Sequence, residues 1–222
     1  MPRPVEVLLS AVALLVLSPL LLVLALAVAL SSPGPILYRQ RRVGRGGTAF
    51  TLHKFRTMRV RADAAGRLTV GRDDPRTTAV GRFLRRTKLD ELPQLFDVLR
   101  GAMSLVGPRP EVPEYVDLSR PDQRETLRHR PGLTDPASLA FRDESALLAG
   151  RADPEAYYVA TLLPAKLALS AAYGRRRTWR SDLGILVATA AAIAGRPTKA
   201  VRAADLAGAD LLAAAPAAGG AR

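Results

Sequence analysis

The chain has 222 residues, enough for one domain with a real core and a membrane element besides. Lys and Arg number 33 against 20 Asp and Glu, a formal net charge of +13 that calls for a polyanionic partner: nucleic acid, anionic lipid headgroups or a phosphorylated substrate. The absence of cysteine excludes disulfides, thiolate metal sites and thiol nucleophiles, and two histidines as far apart as His53 and His129 argue against a zinc centre.

Residues 5–30 form an apolar run interrupted only by Glu6, Ser10, Ser18 and Pro19. As a helix it would be about 39 Å long at 1.5 Å per residue, against a bilayer core of about 30 Å. The run is too long for a signal-peptide apolar region and has only Arg3 as a basic residue upstream, so it reads as a retained membrane anchor. The competing reading is the buried helix of a soluble core. Pro19 lies mid-run, where it removes a backbone hydrogen bond. A bend at Ser18-Pro19 would leave arms of about 20 Å, neither able to cross the core, so the helix would enter and leave by one face. A kinked helix that still spans is the alternative. Arg39, Arg41, Arg42 and Arg45 follow closely and favour a cytoplasmic side for the rest of the chain.

After the breaker "SSPGP" at residues 31–35, residues 36–42 and 48–55 read as strands of a hairpin around Gly44-Arg45-Gly46-Gly47. A phosphate-cradling role for these glycines has no Walker or Rossmann pattern behind it. Residues 59–78 read as a polar loop. Helical patterning begins at Val80 with "VGRFLRRT". In "LDELPQLFDVLRG", Leu92, Leu95, Phe96 and Leu99 share one helical face, the helix starts near Asp90 with Pro93 in its first turn, and Gly101 stops it. "SLVGPRPE" reads as a rigid loop, residues 112–130 as a helix interrupted by Pro121, and "RPGLTDPASLAFRDE" as a loop with a short strand or helix. Residues 153–195 are mostly helical with a break at Pro164. The apolar segment 183–194 is too short to span, and Arg175, Arg176, Arg177, Trp179 and Arg180 before it suit a helix in the membrane interface or a plain packing helix. The Ala-rich residues 201–222 read as a mobile tail.

Two adjacent acids, Asp90 and Glu91, stand at the start of the apolar helix. One reading is local: Asp90 caps the helix and Glu91 favours the positive end of its dipole. The other is chemical. Lys54, Arg56, Arg76, Arg85 and Arg109 surround the acids in sequence, Arg109 between Pro108 and Pro110, and their convergence would create a phosphate site beside a carboxylate. A carboxylate at a helix start would keep a low pKa and act as a nucleophile; its neighbour would hold Mg²⁺ together with substrate phosphate oxygens.

With "SSPGPILYRQRRVG", "FTLHKFRTM", "DDPRTTAVGRFLRRTKLDELPQLFDVLRGAMSLVGPRPE" and "RPGLTDPASLAFRDE" in one order, the chain resembles the bacterial sugar transferases, small monotopic polyprenyl-phosphate phosphoglycosyl transferases, over about residues 4–195. The resemblance implies transfer of a phosphosugar from a UDP-sugar to a membrane polyprenyl (undecaprenyl) phosphate with release of UMP, opening assembly of a surface polysaccharide, lipopolysaccharide or glycoconjugate for downstream glycosyltransferases. It implies Asp90 as nucleophile through a phosphosugar-aspartyl intermediate, Glu91 as Mg²⁺ ligand, and a Ser18-Pro19 break that makes the membrane helix re-entrant. It implies substrate binding by Lys54, Arg56, Arg76, Arg85, Pro108, Arg109, Pro110 and Arg142, at the cytoplasmic face of the bacterial inner membrane. The chain departs from the family pattern at Asp135, where many relatives carry glycine, and at Leu30-Ser31, where an aspartate usually precedes the Ser-Pro-Gly-Pro approach. The identity of the sugar therefore does not carry over.

The expected architecture is α/β but mostly helical: a re-entrant N-terminal helix (1–35), a compact catalytic domain with a short β-hairpin (36–174), a membrane-surface helix (175–200) and the tail. Three other functions stay open on the residues alone: a spanning phosphotransferase or hydrolase with another acceptor, a membrane-tethered polyanion binder, and a non-catalytic scaffold. Nucleic acid is disfavoured as the partner, because aromatics are only 5 % and do not interleave with the basic residues.

Overall fold

A computed structural model describes residues 1–60, 62, 68–71 and 74–196. The fold is mostly helical, with two small sheets. Helix α1 (Arg3–Ser31) is followed by strands β1 (Leu37–Val43) and β2 (Ala49–Phe55), an antiparallel hairpin pairing Leu37 with Phe55 and Val43 with Ala49 across a 3₁₀ turn at Arg45–Gly47. This matches the expected hairpin. Then come α2 (Ala79–Thr87), α3 (Gln94–Leu99), β3 (Ser104–Val106), α4 (Pro121–Thr126), β4 (Gly132–Thr134), α5 (Pro136–Ala140), α6 (Glu144–Leu148), α7 (Pro154–Tyr157), α8 (Leu163–Arg176) and α9 (Trp179–Ile193). The expected tail at 201–222, and residues 197–200 of the expected surface helix, lie outside the described residues.

Helix α1 is helical throughout, including Pro19. Proline has no N–H to offer the carbonyl of Leu15, and the Ser18 hydroxyl donates to that oxygen instead at 2.7 Å. The Ser-Pro pair thus keeps the helix hydrogen-bonded where a break was expected. Glu6, Ser10, Leu14, Leu24 and Val28 are buried, with Leu17 and Leu21 partly so, which makes a stripe repeating every three to four residues down one side. The first half of that stripe packs with Leu95, Val98, Met103 and Leu105; the second half packs with Phe55 and Leu84. The opposite face, including Leu8, Val12, Leu15, Val16, Leu22, Val23, Leu26 and Leu30, is exposed. Both ends of α1 are fastened to the same body. Arg3 donates to the carbonyls of Val98, Leu99 and Met103 at the end of α3, and Arg56 donates to the carbonyl and hydroxyl of Ser32.

Several local expectations are corrected by packing. Residues 104–106 are a strand, because a parallel partner 28 residues on, β4, takes up their backbone groups. Pro121 begins a helix, where its missing N–H is harmless, and does not interrupt one. Pro164 likewise breaks nothing: a π turn at residues 158–162 leads into α8 with the proline in its first turn. Phe96 is exposed and Val98 is buried in its stead, so the inward face of α3 is rotated from the one read off the apolar residues.

Strands β3 and β4 meet through a pair of glycines that also set the loop after β3. The Gly107 amide donates to Thr134 and the Gly132 amide to the carbonyl of Pro108, at 3.0 and 2.9 Å. A Cβ on Gly132 would sit 2.1 Å from the Gly107 nitrogen, backbone against backbone, so space and not dihedral freedom demands glycine here. Gly132→Ala is expected to destabilise by about 3 kcal/mol, the upper range for overpacking. Gly184→Ala, on a part of α9 where an added Cβ meets nothing within 4 Å, should stabilise by about 0.5–1 kcal/mol. Denaturant unfolding in detergent micelles measures both; equal effects would refute the steric account.

Candidate active site

The two acids are placed by a single 3₁₀ turn, Leu89–Glu91, directly after α2. Lys88 makes that turn possible. It has φ 58° and ψ 16°, and is the one non-glycine residue at positive φ among the described residues. Such left-handed residues cost free energy and concentrate at functional sites. Helix α3 starts only at Gln94, with Pro93 at its cap position and no side-chain cap. Asp90 is therefore not a helix cap. It is 7 % exposed, and its Oδ1 is fully covered with no hydrogen-bond partner. Burial, and after it the charge of Glu91, push the Asp90 carboxyl above its ordinary value, against the pull of Lys54, Lys88 and Arg85. The low pKa expected from a helix-start position is corrected on this point: the group gains no amide hydrogen bonds, and desolvation dominates.

Glu91 is in the opposite state. Its Oε1 accepts from Lys54 Nζ at 3.1 Å and from Arg109 Nη2, and its Oε2 accepts from Arg109 Nη1 at 3.0 Å. Burial acts to raise its pKa, but Arg109 and Lys54 outweigh burial and hold the carboxyl well below its ordinary value. The fork of Arg109, expected on a phosphate, closes on this carboxylate; the guanidinium is raised far above its ordinary value in return, Glu91 being the main cause.

One long cleft is lined by Lys54, Arg56, Arg85, Asp90, Glu91, Arg109, Pro110 and Arg142. Arg85 is steered into it by Thr57 Oγ1 at 2.9 Å and Thr69 Oγ1 at 2.7 Å. Arg56 reaches its edge, but its hydrogen bonds run to the end of α1. Arg142 is exposed in the same lining. Arg76 is not part of this lining: it is bound to Asp74 at 2.6 Å and to the Leu68 carbonyl at 2.6 Å, and so braces the loop beneath. Pro108 faces a smaller hollow beside His129 and Pro131. Ser18 and Pro19 lie on the exposed side of α1.

The cleft also contains residues that the sequence did not single out. Lys166 Nζ donates to Glu111 Oε1 at 3.2 Å, to Glu144 Oε2 at 2.9 Å and to the Tyr158 hydroxyl at 3.0 Å. Only the position of Glu111, two residues after Arg109, was a signal; its partner lies 55 residues away.

Among the described residues no three His, Cys, Asp or Glu side chains group as a metal cage. Mg²⁺ commonly needs just one or two carboxylates when substrate phosphates complete its shell. The pair fits that minimal role: Glu91 Oε2 carries one hydrogen bond and keeps a lone pair, and Asp90 Oδ1 carries none.

A buried acid with an unpartnered oxygen, next to a clamped acid and with Lys54 and Arg85 acting on its charge, has the features that concentrate at functional sites. The family model for the bacterial sugar transferases matches residues 1–196, and the chain belongs to that family. It is 46% identical over 140 residues to a UDP-glucose:undecaprenyl-phosphate glucose-1-phosphate transferase of Caulobacter vibrioides, covering 62% of this chain and 52% of the relative. It is 41% identical to a UDP-N-acetylgalactosamine-undecaprenyl-phosphate N-acetylgalactosaminephosphotransferase of Aeromonas hydrophila, over 60% of this chain and 32% of the relative. With the exopolysaccharide production protein PSS of Rhizobium leguminosarum bv. phaseoli it shares 40% identity over 71% of this chain and 84% of that protein. The chain thus spans about half the length of the Caulobacter relative and about a third of the Aeromonas one.

The raised pKa of Asp90 has a stability consequence with a definite sign. The folded state binds the proton more tightly than the unfolded state, so stability falls as pH rises from the ordinary aspartate value through the raised folded one. Asp90→Asn removes the charge that burial opposes. The variant is expected to melt higher than wild type at neutral pH, and the gap should close as pH falls below the ordinary aspartate range. Melting curves across pH 3–8 in one detergent check this; a variant less stable at neutral pH would show that Asp90 is a structural anion.

Proposed function

We propose that the chain is a phosphoglycosyl transferase, moving a sugar-1-phosphate from a UDP-sugar to undecaprenyl or a similar polyprenyl phosphate and releasing UMP. The observation that carries this reading is the buried Asp90 carboxylate, which has an unpartnered oxygen and lies within the field of Lys54, Lys88 and Arg85. A carboxylate deprived of hydrogen bonds is a better nucleophile than one that caps a helix. In the first half-reaction an Asp90 oxygen bonds to the phosphorus bearing the sugar, the bond from that phosphorus to UMP breaks, and UMP leaves with the electron pair. In the second, an oxygen of the lipid phosphate bonds to the same phosphorus and the Asp90 carboxylate is expelled. Each half makes one P–O bond and breaks one, so neither water nor an added proton is consumed. Lys54 and Arg85, which line the cleft with Asp90, would stabilise the charge that spreads over the phosphoryl oxygens, where this chemistry gains most from a protein. Mg²⁺, held by Glu91 and the substrate phosphates, would neutralise part of the diphosphate charge.

The names of the relatives support an undecaprenyl-phosphate acceptor and leave the sugar between glucose and N-acetylgalactosamine. The Rhizobium name supports exopolysaccharide assembly, in which further glycosyltransferases would extend the lipid-linked product. A one-face membrane topology is supported by the attachment of both ends of α1 to one domain, which then lies along the whole helix, whereas a spanning α1 would carry part of that domain into the bilayer. Exposed Arg39, Arg41 and Arg45 agree with the cytoplasmic face of the inner membrane. Trp179, Leu183 and Val187 form an exposed apolar stripe on α9 next to Arg175, Arg176 and Arg180, which suits contact with an anionic membrane surface.

The intermediate is tested by isotope exchange without lipid. Labelled UMP mixed with UDP-sugar, Mg²⁺ and enzyme should return labelled UDP-sugar, because the phosphosugar waits on Asp90 while UMP exchanges. Asp90→Asn should lower exchange by at least 10³-fold, an amide being a far poorer nucleophile; exchange at the wild-type rate would place the nucleophile elsewhere. Topology is tested by single cysteines at positions 2 and 33 of a chain that has none of its own. Both are expected to stay protected from an impermeant reagent in intact cells and to react in inverted vesicles. Labelling of position 2 alone from outside would sink the re-entrant reading.

A further inference from the structure

We infer that Lys88 is a phosphate-binding residue of the site, held beside the two acids by its left-handed backbone; this rests on the transferase reading above. Its φ of 58° and ψ of 16° suit glycine without penalty and asparagine with little, whereas a lysine crowds its Cβ against the following carbonyl. Ending α2 does not call for a lysine, because the stop is made by the backbone: the Lys88 amide donates to the carbonyls of Leu84 and Arg85. The Lys88 carbonyl in turn accepts from the Glu91 amide at 3.3 Å and closes the turn that carries both acids. Lys88, Asp90 and Glu91 thus leave the backbone within one turn, and all three line the same cleft.

The other cations around the acids are engaged. Lys54 and Arg109 are bonded to Glu91, and Arg85 donates through Nε and Nη1 to Thr57 and Thr69. Lys88 is exposed, and none of the described residues hydrogen-bonds or ion-pairs with its ammonium. Its charge still reaches both acids, opposing burial at Asp90 and adding to Arg109 and Lys54 at Glu91. Of the exposed cations lining the cleft, it is the one that acts strongly on both. Phosphate is the ligand this arrangement suits. A diphosphate brings negative charge to a place where Glu91 is already ionised and Asp90 must be ionised to react. An ammonium with three uncommitted donors on a flexible stem offsets that repulsion as a point charge, without the planar match that a guanidinium requires. Two phosphates come to this place in the proposed reaction, the diphosphate of the donor in the first half and the phosphate of the lipid in the second.

The test separates the charge of Lys88 from its backbone. Lys88→Asn removes the charge and keeps a residue that tolerates the left-handed conformation, Lys88→Gly removes the charge and the conformational penalty together, and Lys88→Arg keeps both. Each full-length variant in detergent is titrated with UMP, UDP-glucose and UDP-N-acetylgalactosamine, assayed for label exchange between UMP and UDP-sugar without lipid, assayed for transfer against polyprenyl phosphate concentration, and melted. The Asn and Gly variants are expected to melt at or above the wild-type temperature and yet to weaken a phosphate ligand about tenfold or more, the loss of a charge-assisted hydrogen bond. Arg should stay within about threefold of wild type, since a point charge and not a shape is needed. A weakening confined to UMP, UDP-sugar and exchange assigns Lys88 to the donor diphosphate; one confined to KM for polyprenyl phosphate assigns it to the acceptor; both together assign it to each in turn, and all three support the inference. Wild-type binding, exchange and lipid KM in the Asn and Gly variants would overturn it. So would losses that come with a lower melting temperature and that arginine fails to restore, because Lys88 would then be only the stop of α2. Should the wild-type chain bind neither UMP nor a UDP-sugar, the transferase reading falls first and this inference falls with it.

Discussion

The site depends on the clamp around Glu91. Lys54 comes from β2, Glu91 from the turn after α2 and Arg109 from the loop after β3, so one carboxylate draws three separate stretches of chain to a point. Breaking a buried pair by removing one partner typically costs about 3–5 kcal/mol, because the other charge stays behind without compensation. These groups are partly exposed, which reduces that figure but not its sign. The clamp also makes two adjacent acids chemically unlike. The cations hold Glu91 ionised, and that fixed charge, added to burial, opposes ionisation of Asp90. Environments that push neighbouring carboxyls apart are the usual way to give them separate roles.

The apolar helix α1 is a layer of the domain and not an appendage to it. Its buried stripe supplies Leu14 to the main core and Leu24 and Val28 to a second cluster, while its remaining surface stays apolar and exposed. Arg56 illustrates the coupling. It lies at the end of β2, one residue beyond the strand that carries Lys54, and its guanidinium closes the last carbonyls of α1. The placement of α1 is thereby linked to that of Lys54, which bonds Glu91. For the proposed reaction this matters, since one substrate would come from water and the other from the bilayer.

Charge is distributed along the cleft and is not merely positive. The +13 of the whole chain suggests a uniform attraction for polyanions. The structure instead lines one cleft with the open arginines of α2 and with a satisfied acidic–basic cluster. Arg76, counted among the phosphate ligands by its place in the sequence, is neutralised locally by Asp74. Arg109, counted likewise, is used to hold an acid. Of the expected phosphate-binding cations, Lys54 and Arg85 are those that the charge of Asp90 most clearly feels.

The sequence by itself determined the elements governed by local chemistry. The hairpin at residues 37–55, helix α2, the glycine stop at Gly101 and the long apolar helix all follow from periodicity, turn residues and hydropathy, which act over a few residues. It also marked the acidic pair, because two carboxylates at an apolar helix start stand out in so basic a chain. What it left undecided was every partnership across the chain. Residues 104–106 became a strand only because β4 lies beside them, and Pro121 and Pro164 were tolerated because each falls in the first turn of a helix, where an N–H has no intrahelical partner. Whether Asp90 was a cap or a buried acid, and whether Arg109 met a phosphate or Glu91, rested on contacts between segments far apart in the chain. So did the cluster of Glu111, Glu144 and Lys166, whose members are 22 to 55 residues from one another across Lys166. A charge's role depends on its desolvation and its nearest opposite charge, and both are properties of the packed interior that only the tertiary fold creates.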